Sequence, residues 1–258
     1  MATTYNIKVV VSGKQVEVYK YKKSVWRDFK KKENNNNTQK EPKQLSILEK
    51  IELKQKKQQY SVNRTRTEIR RLINSNTQLN KFMTLTFADI ITDLKQANYI
   101  FNQFIKRITY KYPNFEYLAV PEFQKRGAVH YHLLCKLPFM EISELEYIWG
   151  QGFIKINKID EINNIGAYVC KYLSKDMFDD RTFGKKKFFH SQTLRKAIEL
   201  IGYYAIRFLE KFLNTVKPVF EKIFESEWTG EVEYKAYSLE FIPFRFGVFD
   251  KSIFFNHL

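Results

Sequence analysis

NFEYLAVPEFQKRGAVHYHLLCKL, residues 114–137, reads as two strands closed by Lys125-Arg126-Gly127. A three-residue connection ending in glycine suits a hairpin loop, because that position takes a positive φ. With those three residues in the loop, the pairing follows by counting outward. Gln124 faces Ala128, Phe123 faces Val129, Glu122 lies opposite His130, and Val120 lies opposite His132. Strand side chains alternate, so Glu122, His130 and His132 share one face while Val129, Tyr131 and Leu133 share the other. Two imidazoles and a carboxylate are ligand types for a divalent cation, and burying them without one is costly. The bland alternative is a pair of exposed or structural strand histidines. The same donor set also describes non-haem iron oxygenases, so a metal site by itself does not name the chemistry.

Upstream, KFMTLTF (81–87) alternates Met83, Leu85 and Phe87 with Thr84 and Thr86, as a strand does. ANYIFNQFIKRITYKY (97–112) repeats Ile100, Phe101, Phe104, Ile105 and Ile108 at helical spacing and is expected to lay that face on a sheet. YNIKVVVSGKQVEVYKY (5–21) reads as a hairpin around Ser12-Gly13, followed by KKENNNNTQKEPK, a polar low-complexity linker. From Leu45 the pattern turns helical, and Ile69, Leu72 and Ile73 keep helical spacing among arginines that suit a solvated face. Downstream, TLRKAIELIGYYAIRFLEKFLNTVKPVFEKIF (193–224) reads as one or two amphipathic helices, and EVEYKAYSLEFIPF (231–244) alternates like a strand. The expected organisation is an appendage over 1–60 with a linker near 31–44, a main domain over 61–200, and C-terminal helices and a strand over 201–258 within that same domain.

Forty-four Lys+Arg against 28 Asp+Glu give a net charge of +16 and a pI near 9.6. That balance suits a polyanionic partner, nucleic acid first, and fits an acidic substrate protein less well. Ribosome-bound proteins share the charge, but they rarely carry 16% aromatic residues, which offer stacking surfaces for unpaired bases. Cys135 and Cys170 have no CxxC partner, so neither a disulfide framework nor a zinc-thiolate site is expected, and a reducing cytoplasm is implied. No signal-peptide pattern opens the chain, and no apolar run is long enough to span a bilayer.

NNIGAYVCKYLSKDM (163–177) is helical in pattern, and at ~100° per residue Tyr168, Lys171, Tyr172 and Lys175 fall within an arc of about 100°. Val169, Cys170, Leu173 and Met177 form a separate apolar arc. A boundary stripe of leaning tyrosines and snorkelling lysines is the ordinary explanation for such residues taken singly. Together they have a chemistry, because a tyrosine phenolate attacks a phosphodiester when a divalent cation polarises the phosphate and a nearby lysine offsets developing charge.

FMTLTF, PEFQKRGAVHYHLL and AYVCKYLSK, in this order and at these separations, resemble the three motifs of HUH-family rolling-circle replication initiators, and the tandem tyrosines most resemble the two-tyrosine phage and plasmid class. IWGQGFIKINKI also looks like that family's Trp-x-x-Gly segment, and GKKKFFHSQTL like the basic stretch that follows. The likeness covers about residues 64 to 194. It implies an α+β fold with a central antiparallel sheet flanked by helices and a central His-x-His strand, here with an N-terminal hairpin and helical appendage. It implies Glu122, His130 and His132 as ligands of Mg²⁺ or Mn²⁺, with Gln124 in reserve for the third position. It implies Tyr168 and Tyr172 as nucleophiles, Tyr168 first, with Lys171 and Lys175 as helpers. The DNA contacts expected with it are Lys81, Thr84, Thr86, Lys125, Arg126, Lys185, Lys186 and Lys187.

The activity so implied is site-specific nicking and strand transfer on single-stranded or hairpin origin DNA through a 5′-phosphotyrosine, in a bacterial cytoplasm. The alternative is a non-catalytic origin-binding protein or repressor on the same scaffold. No G-x-x-x-x-G-K-[ST] occurs in the chain, so nucleotide hydrolysis is not expected of it, and a separate helicase and host replication proteins are implied as partners.

Overall fold

The structure, a computed structural model, describes residues 3–27, 46–159, 179–182 and 184–241. In chain order the strands and helices are β1 (Thr3–Ser12), β2 (Gln15–Arg27), α1 (Ile47–Ser75), β3 (Lys81–Thr86), α2 (Leu94–Lys111), β4 (Glu116–Phe123), β5 (Val129–Lys136), α3 (Ile142–Trp149), β6 (Ile154–Lys158), β7 (Phe189–His190), β8 (Ile198–Ile201), α4 (Tyr203–Phe208), β9 (Phe220–Ser226) and β10 (Gly230–Ser238). The fold is α+β, with two five-stranded antiparallel sheets and four α-helices among the described residues. The chain divides into two compact units, Lys54–Arg195 on one hand and Met1–Leu53 with Lys196–Leu258 on the other.

In the Lys54–Arg195 unit the sheet order is β6-β3-β5-β4-β7, which makes the His-x-His strand central. One face carries Met83, Leu85, Ala119, Tyr131 and Leu133, all fully buried, against Phe101, Phe104 and Ile108 of α2 and Leu145 and Trp149 of α3. Each of these large side chains contributes roughly 1.5–3 kcal/mol on leaving water. Asp93 starts α2 by accepting hydrogen bonds from Lys95 N and Gln96 N, which also hold its carboxyl below the usual carboxylate range. The other face carries Leu118, Val120 and Leu134 against Val62, Ile69, Leu72 and Ile73 of α1. The sheet is therefore covered on both sides, and the apolar positions expected from helical spacing in α1 and α2 are the ones that do the covering.

The β4–β5 register is the one obtained by counting outward from the turn: Phe123 pairs with Val129, Glu122 with His130, and Val120 with His132. Gly127 has φ +87°, and its N–H donates to Gln124 O at 2.8 Å. On the other side of β5, Thr86 pairs with His130 and Thr84 with His132.

The Trp-x-x-Gly segment closes the end of β3. Trp149 Nε1 donates to Thr86 O, Thr86 and Phe153 exchange backbone hydrogen bonds, and Ala88 N donates to Gln151 O. Gly152 sits in this clamp with φ +141°, and a Cβ there would come within 2.5 Å of Thr86 O and press on Ala88 N. Backbone on both sides leaves nothing flexible to move aside.

The second unit differs from the expected organisation. Its sheet runs β8-β1-β2-β10-β9, so residues 198–238 complete a sheet begun by the N-terminal hairpin instead of extending the central one. Two helices were expected over 193–224, but Ile198–Ile201 pairs with β1 and Phe220–Ser226 pairs with β10, leaving a short α4 that runs into a π turn over Leu209–Leu213. Ile-Glu-Leu-Ile and Phe-Glu-Lys-Ile-Phe satisfy helical and strand spacing alike at this length, and the open backbone edges of β1 and β10 decide for strand. α4 then packs Ala205 and Phe208 on Ile7, Val9, Val11, Val16 and Val18.

Gly152→Ala should destabilise the protein by about 1–3 kcal/mol, through a strained positive φ and the clash with β3. Thermal melting of the variant against Gly150→Ala, which meets no atom closer than 3.6 Å, checks this.

Candidate active site

Three strands bring the site together on the α1-facing side of the central sheet. Glu122 comes from β4, His130 and His132 from β5, and Thr84 and Thr86 from β3. Glu122 and His132 are in direct contact, Oε2 against Nε2. The two imidazole rings stand 6.2 Å apart, nearly edge to face.

His132 is held from two further directions. Its Nδ1 and Thr84 Oγ1 are hydrogen-bonded at 3.0 Å, and the Phe82 ring stacks on the imidazole with centroids 5.7 Å apart. A threonine hydroxyl both donates and accepts, so it serves His132 whichever ring nitrogen carries the proton. Thr84 therefore acts on the histidine, a role that differs from the DNA contact expected of it. Nothing in KFMTLTF signals this, because the partner comes from a strand pairing with residues 130–135.

His130 is in a different state. Its Nε2 is buried and has no hydrogen-bond partner, a costly position for a polar atom. Burial, with His132 adding to it, lowers the His130 pKa to about 4, so the ring is neutral near pH 7 with a lone pair on one nitrogen. That is the form in which imidazole binds metal. The donor set and the orphaned Nε2 fit a divalent cation, with Glu122, His130 and His132 as the residues to hold it. Among the described residues no group of three or more His, Cys, Asp or Glu side chains is gathered as a ready metal cluster.

The basic residues named from the sequence are distributed unevenly. Lys125 and Arg126 are exposed in the hairpin loop, where Arg126 donates to Gln124 Oε1 and Phe87 O. Lys185 and Lys186 are exposed, and Lys186 Nζ lies 4.8 Å over the Phe189 ring. Lys81 Nζ donates to Pro138 O. Lys187 is buried at 8% exposure, and desolvation lowers its pKa. Arg181, absent from the expected set, stacks its guanidinium 3.7 Å over the Phe123 ring beside the loop. No periodicity marks it in DDRTFGKKK. Tyr168, Lys171, Tyr172 and Lys175 lie outside the described residues.

Residues 80–177 match a family model of replication-associated proteins, the ORF2 type. The match spans under half the chain and takes in Thr84, Glu122, His130, His132, Tyr168 and Tyr172. It supports a replication initiator-like protein with a role in starting DNA replication. No curated protein and no solved structure matched the chain. No helix among the described residues is long and apolar enough to cross a membrane.

His130 generates a pH prediction. An unfolded histidine titrates near 6.5 and the folded His130 near 4, so the unfolded chain takes up the proton first as the pH falls. In a chelator, folding stability should decline between about pH 6.5 and about pH 4, and His130→Gln should remove part of that decline. Denaturant unfolding of both proteins across this range is the measurement; identical pH profiles would show His130 to be ordinary.

Proposed function

We propose that the protein is a metal-dependent nicking endonuclease and strand transferase that acts on single-stranded or hairpin origin DNA and initiates rolling-circle replication. The observation that carries this reading is the Glu122, His130 and His132 face with an orphaned histidine nitrogen, inside a segment matched by a replication-associated family. The three-motif resemblance to HUH initiators supplies the finer reading. The host compartment proposed with it is a bacterial cytoplasm, with a separate helicase and host replication proteins as partners.

Mg²⁺ or Mn²⁺ held by Glu122, His130 and His132 would supply polarisation of the scissile phosphate. The residues of the chain do the rest. A tyrosine oxygen, from Tyr168 or Tyr172, attacks phosphorus; the bond from phosphorus to the 3′ oxygen breaks; and that oxygen leaves as a 3′-hydroxyl after taking a proton. The tyrosine is left bearing the 5′-phosphate. Strand transfer is the reverse reaction with a second 3′-hydroxyl, which releases the tyrosine. Lys171 and Lys175, each three residues past a tyrosine, offset the negative charge that develops on the phosphate. Lys125, Arg126, Lys185 and Lys186 hold the DNA backbone, and Thr84 keeps His132 oriented.

One observation favours the second reading, a non-catalytic origin-binding protein on the same scaffold: the Glu122 carboxylate is engaged by His132 and no three-ligand cluster is gathered among the described residues. A single assay separates the two. Protein, Mn²⁺ and single-stranded origin DNA should yield a covalent adduct on a denaturing gel, mapped by mass spectrometry to Tyr168 or Tyr172. Label on neither tyrosine removes the enzymatic reading.

His130→Ala and His132→Ala should each abolish cleavage while keeping most DNA affinity, since affinity rests on distributed Lys and Arg contacts. Filter binding and nicking measured on the same folded variants decide it, and parallel loss of both would contradict the assignment. If the tyrosines alternate, Tyr168→Phe and Tyr172→Phe should each retain some nicking and only the double variant should be inert. If Tyr168 alone nicks, Tyr168→Phe abolishes the adduct and Tyr172→Phe fails only in closing the displaced circle.

A further inference from the structure

The second sheet has two unlike faces. Facing α4, it is a small apolar core of Ile7, Val9, Val11, Val16 and Val18. On the opposite face a row of rings crosses four strands: Tyr5 of β1 meets Tyr21 of β2 at 6.1 Å, Tyr21 meets Tyr19 at 6.3 Å with planes 8° apart, Tyr19 meets Tyr234 of β10 at 5.0 Å, and Tyr234 meets Phe220 of β9 at 6.1 Å. The tyrosines are half-buried, and Phe220 is 54% exposed.

Charge is sorted between the same faces. Lys8 pairs with Tyr19 and holds its Nζ 5.0 Å over that ring, and Lys222 pairs with Tyr234, so both lysines lie on the aromatic side. Strand alternation puts Glu221, Glu225, Glu231 and Glu233 of β9 and β10 on the other side. Glu17 shares the aromatic side but is buried and accepts the Tyr234 hydroxyl hydrogen bond, and Glu199 sits opposite Val10 at the β8 edge. An amphipathic sheet in water has no need of a contiguous file of rings on its polar face. Aromatic rings in file, flanked by lysine and cleared of carboxylates, are what successive unpaired bases and their phosphates bind.

We propose that this face is a second binding site for single-stranded DNA, separate from the Glu122, His130 and His132 site, on which bases stack along the row from Tyr5 to Phe220 while Lys8 and Lys222 meet phosphates. The choice of DNA rests on the replication reading; the stacking geometry does not. The site gives the protein a means to hold an unpaired strand without cutting it.

The test is photocrosslinking of a 5-bromodeoxyuridine-substituted 12-mer oligonucleotide to the full chain, with mass-spectrometric mapping. Adducts are expected on Tyr19, Tyr21, Tyr234 or Phe220, and equally in His130→Ala, because crosslinking needs no cleavage. Phe220→Ala and, in a second protein, Tyr19→Leu should each lower the crosslink yield at this face, at sub-saturating protein, by roughly 5- to 150-fold, the loss of one base stack. Phe220 is exposed, so its replacement leaves the core intact, and a melting curve checks the Tyr19 variant. Adducts confined to residues 80–177, or an unchanged yield at this face in both variants, would overturn the proposal. Stronger crosslinking of the matching bromouridine RNA would overturn the choice of DNA. A protein that never forms a tyrosine adduct yet crosslinks here refutes the nicking reading and leaves this one standing.

Discussion

The cross-strand pairing of Glu122 with His130 depends on the length of one loop. Lys125-Arg126-Gly127 closes β4 onto β5 with Gly127 at φ +87°, a conformation that L side chains adopt rarely. A register slip of one residue would turn Glu122 toward α2 and α3 and push Phe123 into the face it now avoids. The slip would also expose Tyr131 and Leu133, which are fully buried in the core. The hydrophobic pattern of β5 and the turn chemistry thus enforce the same register by independent means. The position of the site is a by-product of packing that the sheet needs anyway.

Within that register the two histidines differ because their neighbours differ. His132 has Thr84 on β3 and Glu122 diagonally across on β4, so both ring nitrogens are occupied. His130, two residues earlier, has Thr86 and Glu122 as its cross-strand neighbours and keeps an orphaned Nε2 under burial. A buried donor or acceptor left unmade costs about 1–3 kcal/mol, and folds retain such a cost where a site needs it. The clamp of Trp149 on Thr86 O bears on the same point, because it fixes the end of β3 directly opposite His130.

The central unit was legible in the sequence wherever two local signals agreed. Period-2 alternation plus a glycine turn gave β4, β5 and the shared face of Glu122, His130 and His132; helical spacing gave the covering faces of α1 and α2. What stayed illegible depends on contacts between distant segments. Residues 198–226 carry patterns that fit helix or strand, and only the edges of β1 and β10 select strand. Lys187 looks like its neighbours Lys185 and Lys186 in sequence, yet it is buried while they are exposed. The bond between Thr84 and His132 joins residues 48 positions apart and has no local signature.

The second sheet places a constraint on how the chain assembles. An isolated β1–β2 hairpin is marginal in water, and this one has Val9, Val16 and Val18 to bury. Its partners are β8 and β10, far along the chain; Gln15 Nε2, for example, donates to Ser238 Oγ across a separation of 223 residues. Closing so long a loop costs entropy that only the completed sheet offsets, so pairings of this kind form late. The central sheet spans a much shorter stretch, from Lys81 to His190, and its β4–β5 hairpin is local. The register that organises Glu122, His130 and His132 is therefore available to the chain before the aromatic face of the second sheet exists, and the two surfaces depend on different parts of the sequence for their stability.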